Sequence, residues 1–201
     1  MFRYTKSNMI ARTHDLAAVT ALAAIVLAQP MRTMTLSTVI VALLANQIGG
    51  IAPDIDQPTA PFWRNLPVGG IFGRLIGRMM GGHRFLSHSI LGLALFGFLT
   101  TALLNFLQPI MPNVDTDLVW WAFMIGMVSH LVMDSFTKEG VPWLLPIPWK
   151  FGFPPLRRLR ITTGKNVERF VVLPLLLLAA VWLFSSHYVE ISTMFNQYVR
   201  R

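Results

Sequence analysis

Five stretches of this chain are nearly free of charge and long enough, or almost, to cross a hydrocarbon layer: Asp15–Pro30, Thr35–Ala52, Ser89–Leu107, Leu118–Phe136 and Phe170–Ser186. Such a layer is about 30 Å thick and takes roughly 20 apolar helical residues to span. Its interior offers no water to backbone N–H and C=O groups, so each segment must satisfy its own, and an α-helix does this. The short first stretch reads as tilted or half-buried within a bundle, and the second as interrupted near its end by Gly49-Gly50. The first reads as a retained span, because a second follows almost immediately and no small-residue cleavage site stands out.

Composition agrees. Across 201 residues, 54% are hydrophobic and 13% charged, against about 25% charged in soluble domains. The length is one domain's worth, residues 1–201. The 17 Lys and Arg exceed the 9 Asp and Glu, for a net charge of +8. Short cytoplasmic loops carry such an excess. Arg3, Lys6 and Arg12 precede the first stretch. Arg64, Arg74, Arg78 and Arg84 follow the second, and Lys138, Lys150, Arg157, Arg158, Arg160, Lys165 and Arg169 follow the fourth. Only Arg32, Arg200 and Arg201 fall on the other side. The expectation is an all-α polytopic membrane helical bundle of about 4–5 spans, entering from the cytoplasm. Its two long cytoplasmic connections are Pro/Gly-rich at 49–82 and 140–164 and read as ordered loops.

Ionisable residues at membrane depth are costly, and each is by default a candidate functional residue. His14 opens the first stretch, Asp54 and Asp56 follow the second, His83 and His88 precede the third, and His130 and Asp134 lie in the last turns of the fourth. All converge on one membrane face. His130 and Asp134, four apart on a helix, share a side of it. His83 and His88 approach one centre if they straddle a loop-to-helix junction. Asp54 and Asp56, between two prolines, read as extended, with the carboxylates on opposite faces so that one ligates and the other orients. With no cysteine in the chain, a site of imidazoles and carboxylates suits a divalent metal, Zn²⁺ first, or Mn²⁺ or Fe²⁺. The excess of candidates leaves one or two ions open.

Other features read more plainly. His187 is an interfacial polar residue, and Arg157-Arg158-x-Arg160 with Lys165 a surface for membrane lipid headgroups or an anionic substrate. Trp63, Trp143 and Trp149 resemble an aromatic belt, which speaks against nucleic acid. Arg84 counts toward the positive loop charge or binds an anion through its fork of donors. No His-Glu-x-x-His, Gly-x-Ser-x-Gly, phosphate-cradling or dinucleotide-binding motif occurs.

Four blocks resemble the YdjM family of bacterial inner-membrane proteins, described as LexA-binding and as metal-dependent hydrolases. They are His14; Pro53-Asp54-Ile55-Asp56-x-Pro58; His83-Arg84-x-x-Ser87-His88-Ser89; and His130-x-x-x-Asp134-x-x-Thr137-x-x-Gly140-Val141-Pro142 with Pro146 beyond. Thr163-Gly164 and Glu168-Arg169 resemble a further block. Ser87 stands where the family usually has Thr, which keeps the hydroxyl. The histidine and aspartate series is also similar, more distantly, to zinc-dependent phospholipase C, an all-helical enzyme.

These resemblances imply a membrane-bound metal-dependent hydrolase acting by metal-activated water on a phosphoester or ester of a lipid or other amphiphile. His14, Asp54, His83, His88, His130 and Asp134 would hold metal. Asp54 or Asp56 would serve as ligand or general base, Arg84 would stabilise an oxyanion, and Glu168 would act as acid/base or outer partner. A LexA association is implied by the family alone. The alternative is a non-catalytic membrane protein whose metal site is structural or sensory and whose basic loops meet a partner. The ligand candidates should converge within about 8 Å of one centre, given metal–ligand bonds near 2.0–2.2 Å.

Overall fold

The computed structural model describes residues 7–28, 34–147 and 149–199. Arg3, Lys6, Arg32, Arg200 and Arg201 of the charge count, and the end of the first apolar stretch at Gln29-Pro30, lie outside them. The regular elements among the described residues are helices, apart from two isolated bridges in the loop after the fourth apolar stretch. In order the helices are α1 (Ser7–Leu27), α2 (Leu36–Ile51), α3 (Pro61–Arg64), α4 (Gly69–Met79), α5 (Ile90–Leu107), α6 (Thr116–Ser135), α7 (Leu173–Ser186) and α8 (Tyr188–Val199). Four helical segments among the described residues are long and apolar enough to cross a membrane: Leu36–Asp56, Ile90–Ile110, Thr116–Ser135 and Glu168–Ser186. The first apolar stretch is not among them. Its helix, α1, carries Arg12, His14 and Asp15 early on and packs against α2, α6 and α7.

The parallel pair α2 and α6 is the spine of the bundle. Thr35 caps α2, its hydroxyl accepting from Thr38 N–H at 3.1 Å, and Asp115 caps α6 by accepting from Leu118 N–H at 3.1 Å. The two starts are clasped together, because Thr35 Oγ1 donates to Asn113 C=O at 2.7 Å and Thr38 Oγ1 accepts from Asp115 N–H at 3.0 Å. Further along, the helices meet backbone to backbone. A Cβ on Gly49 would collide with the Phe123 carbonyl, and one on Gly126 with the Asn46 carbonyl. Lipid supplies little hydrophobic drive between helices, so close approach through small residues is how such helices associate. Buried Asn46 adds a bond from Nδ2 to Ala122 C=O at 2.9 Å.

The expected interruption at Gly49-Gly50 is therefore not one. The α2 helix runs through both glycines to Ile51, because tight packing against α6 and α1 offsets their intrinsic cost in a helix. Nor is the Asp54 region extended. Ala52–Asp56 forms a 3₁₀ turn that prolongs α2, with Pro53 in its first turn, where the missing N–H costs nothing. The expected loop at 49–82 also contains α4. Trp63 is no belt residue: it is buried and donates from Nε1 to Ile55 C=O at 2.9 Å, bracing the acidic turn.

Gly49→Ala should destabilise the fold by about 1–3 kcal/mol, the usual cost of overpacking, seen as a lower thermal midpoint in detergent. Gly70→Ala, whose added Cβ meets nothing within 4 Å, should not.

Candidate metal centre

Three chain ends deliver the centre. The α2 helix ends in the 3₁₀ turn with Asp54 and Asp56, Leu86–His88 forms a second 3₁₀ turn just before α5, and His130 and Asp134 occupy the last two turns of α6. Ser89 starts α5 by accepting from Gly92 N–H at 3.0 Å. From the side, α1 contributes His14, whose ring stacks on His130 with centroids 4.0 Å apart.

Two imidazoles each face two carboxylates. His88 Nε2 lies 3.4 Å from Asp134 Oδ2 and 3.9 Å from Asp54 Oδ1, and His130 Nε2 lies 3.7 Å from each of the same two oxygens. His88, His130 and Asp134 are fully buried, while the Asp54 side chain keeps 26% exposure. His88 Nε2, His130 Nε2 and Asp134 Oδ2 have no hydrogen-bond partner. Buried polar atoms are nearly always paired, so three orphans around one point call for a ligand.

The hydrogen bonds behind the rings decide which nitrogen is bare. His130 Nδ1 lies 2.6 Å from Gly50 C=O, which only accepts, so Nδ1 carries the proton and the neutral ring that a metal would bind has its lone pair on Nε2. For His88 the argument runs through Ser87, which donates its one hydroxyl proton to Asp56 Oδ2. Ser87 Oγ must then accept from His88 Nδ1 at 2.9 Å, which again leaves Nε2 bare. Such outer hydrogen bonds set both tautomer and ring orientation at metal sites.

The carboxylates divide their labour by atom. Asp134 Oδ1 accepts from Arg84 Nη2 at 2.8 Å and sits 3.5 Å from His14 Nε2, which frees Oδ2 for the centre. Arg84 is itself buried: Nη1 reaches Thr137 Oγ1 at 3.0 Å and Gly140 C=O at 3.4 Å, and Nε faces Glu139 at 3.4 Å. Its backbone is left-handed, φ 57°, a conformation costing about 1–2 kcal/mol. That twist points Arg84 N–H at Asp56 Oδ2, 2.9 Å away. Arg84 is thus neither a free loop charge nor an open anion receptor but the brace of Asp134. Asp56 accepts from Arg84 N–H and Ser87 Oγ and meets His83 Nδ1 at 2.9 Å.

Two sets of donor atoms could hold a metal, His14–His130–Asp134 and Asp54–His88–His130. They share His130, which has a single bare nitrogen, so they describe alternatives or parts of one centre rather than two filled sites. Neither set includes His83, Asp56 or Glu168. His83 is part-exposed on Asp56, and buried Glu168 accepts from Gly164 N–H at 2.6 Å where the chain turns into α7. Ser87 and the Gly50 carbonyl do work that sequence reasoning did not assign. Ser87 was findable as a hydroxyl beside a histidine, whereas a backbone carbonyl carries no sequence signal.

Ser87→Ala removes the acceptor that fixes the His88 ring, and should weaken metal binding about 10–100-fold in a competition titration with a chromogenic chelator. Helix content by circular dichroism should be unchanged.

The YdjM inner membrane protein family matches residues 9–192. Inner membrane protein YdjM of Escherichia coli (strain K12) is 30% identical over 138 residues, 66% of this chain and 61% of that protein, and its Shigella flexneri namesake gives the same figures. The chain therefore spans less than two thirds of those relatives. Uncharacterized protein YvsG of Bacillus subtilis (strain 168) is 27% identical over 137 residues, 68% of this chain and 74% of that protein. No solved structure matches. These matches lend nothing to the more distant likeness to phospholipase C. The family match covers every block of the centre from His14 to Glu168, and the chain belongs to the YdjM family of inner membrane proteins.

Proposed function

We propose that the chain is a multi-pass, metal-dependent hydrolase of the bacterial inner membrane, acting from its cytoplasmic face on a phosphoester or ester of a lipid or other amphiphile. The observation that carries this reading is three buried, unpartnered donor atoms, His88 Nε2, His130 Nε2 and Asp134 Oδ2, with part-exposed Asp54 beside both imidazoles. His88 Nε2 and His130 Nε2 lie 3.4 and 3.7 Å from Asp134 Oδ2, near the edge of a tetrahedron built on bonds of about 2.0–2.1 Å, roughly 3.3–3.4 Å, and three such ligands leave the fourth position to water. Octahedral Mg²⁺ at similar bond lengths needs edges of about 3 Å and prefers oxygen. The preferred ion is Zn²⁺.

When bound, such an ion supplies Lewis acidity and lowers the pKa of water toward about 7. The residues of the chain supply the rest. His88 and His130 present fixed lone pairs, and Arg84 holds Asp134. Asp54, which keeps 26% side-chain exposure beside the buried donors, would take the proton from the attacking water. Arg84 acts through Asp134 rather than on substrate. A centre at a helix-bundle mouth is most easily reached by lipid headgroups.

The near-complete burial of His88, His130 and Asp134 favours a second reading, a structural or sensory metal site. Substrate access separates the two. Purified protein should carry metal by elemental analysis, and His130→Ala should lose it. Wild type should hydrolyse a phosphodiester or ester lipid in a panel that His130→Ala leaves intact. Retained metal with no turnover of any lipid class would leave the structural reading.

A further inference from the structure

The α4 helix joins two membrane-spanning elements at the face that carries the metal centre, since it lies between the end of α2 and the start of α5. It has three different sides. Gly69, Gly73 and Gly77 form a buried one: a Cβ at Gly69 would meet the Trp63 carbonyl, at Gly73 Pro58 and the Trp63 ring at 2.9 Å, and at Gly77 the Asp56 carbonyl at 2.5 Å. Ile71, Phe72, Leu75 and Met79 form an apolar side that is 53–75% exposed. Arg74 and Arg78, one turn apart and exposed, lie between the two. From Gln57 to Ser89 the chain has four arginines and no carboxylate.

A two-fold pairing of α4 with its copy would bring arginines toward arginines, whereas an anionic leaflet satisfies both sides at once. An apolar face flanked by cations is the pattern of a helix lying in a membrane interface.

We propose that α4 lies in the plane of the bilayer, with Phe72 and Leu75 in the acyl region and Arg74 and Arg78 at anionic headgroups, and that its glycine side holds the Asp54–Asp56 turn at that depth. The membrane surface is then one wall of the metal centre's mounting. The first half of this rests on α4 alone and stands apart from any hydrolase activity.

The chain has no cysteine, so single-cysteine variants label uniquely. Phe72→Cys, Leu75→Cys and Gly70→Cys would carry an environment-sensitive fluorophore in vesicles of phosphatidylcholine, with and without phosphatidylglycerol. Labels at 72 and 75 should be quenched by brominated acyl chains and shielded from aqueous iodide, and the label at 70 should behave in the opposite way. Adding Arg74→Glu and Arg78→Glu should reduce acyl-chain quenching in the phosphatidylglycerol vesicles. Iodide access at 72 and 75 would overturn the proposal. So would shielding without bromolipid quenching, which would point to protein cover instead.

The coupling to the turn is read by Zn²⁺ titration. Gly77→Ala should weaken binding several-fold, while Gly70→Ala binds as wild type. Equal affinities would sever α4 from the centre. If the wild type binds no Zn²⁺, the hydrolase reading fails, and the fluorescence arms still decide the placement of α4.

Discussion

The centre depends on how closely two parallel helices approach. At Gly49 and Gly126 the α2 and α6 backbones touch with no side chain between them, and this contact brings the Gly50 carbonyl to the His130 ring. It also lays the end of α2 beside the last turns of α6, so a 3₁₀ turn on one helix can share a donor set with residues on the other. A single methyl group at either glycine would push the carboxylate of Asp54 away from the imidazole of His130. In a bundle whose outer surfaces face lipid, shape at the helix contact does what hydrophobic burial does in a soluble core.

Around that contact, the polar residues form nested layers with separate duties. His88, His130 and Asp134 turn donor atoms to the centre with Asp54 on one side and His14 on the other, while Ser87, Arg84 and the Gly50 carbonyl aim them. Asp56 collects the loop that carries His83, Arg84 and Ser87 onto one carboxylate. Asp134 thus has an assigned orientation, and each central histidine an assigned tautomer. This preorganisation allows three almost completely buried polar side chains to sit with atoms unpaired.

Much of this was legible in the residues. The apolar stretches located α2, α5, α6 and α7, because 17 to 19 almost uncharged residues in a row have few other uses. The His130/Asp134 spacing placed two donors on one helix side, since helical period is a local property. Misread features were those in which tertiary contact overrides local preference. Gly49-Gly50 looked like a break and is a packing surface, Asp54 and Asp56 looked extended and lie in a tight turn, and Trp63 looked interfacial and is buried beneath α4. His83 stands with the other histidines in the sequence yet is directed to Asp56, because five residues across a loop do not fix a direction.

The two central imidazoles are oriented by very different means. His130 leans on a peptide carbonyl, which does not titrate and which no side-chain replacement can delete. His88 leans on a hydroxyl that leans in turn on a carboxylate, a relay that substitution at either member would cut. Substitution has a handle on the support of one ring and none on the support of the other. Descendants of this fold can therefore retune the His88 side by changing residues 56 and 87, while the His130 side is inherited with the helix pairing itself.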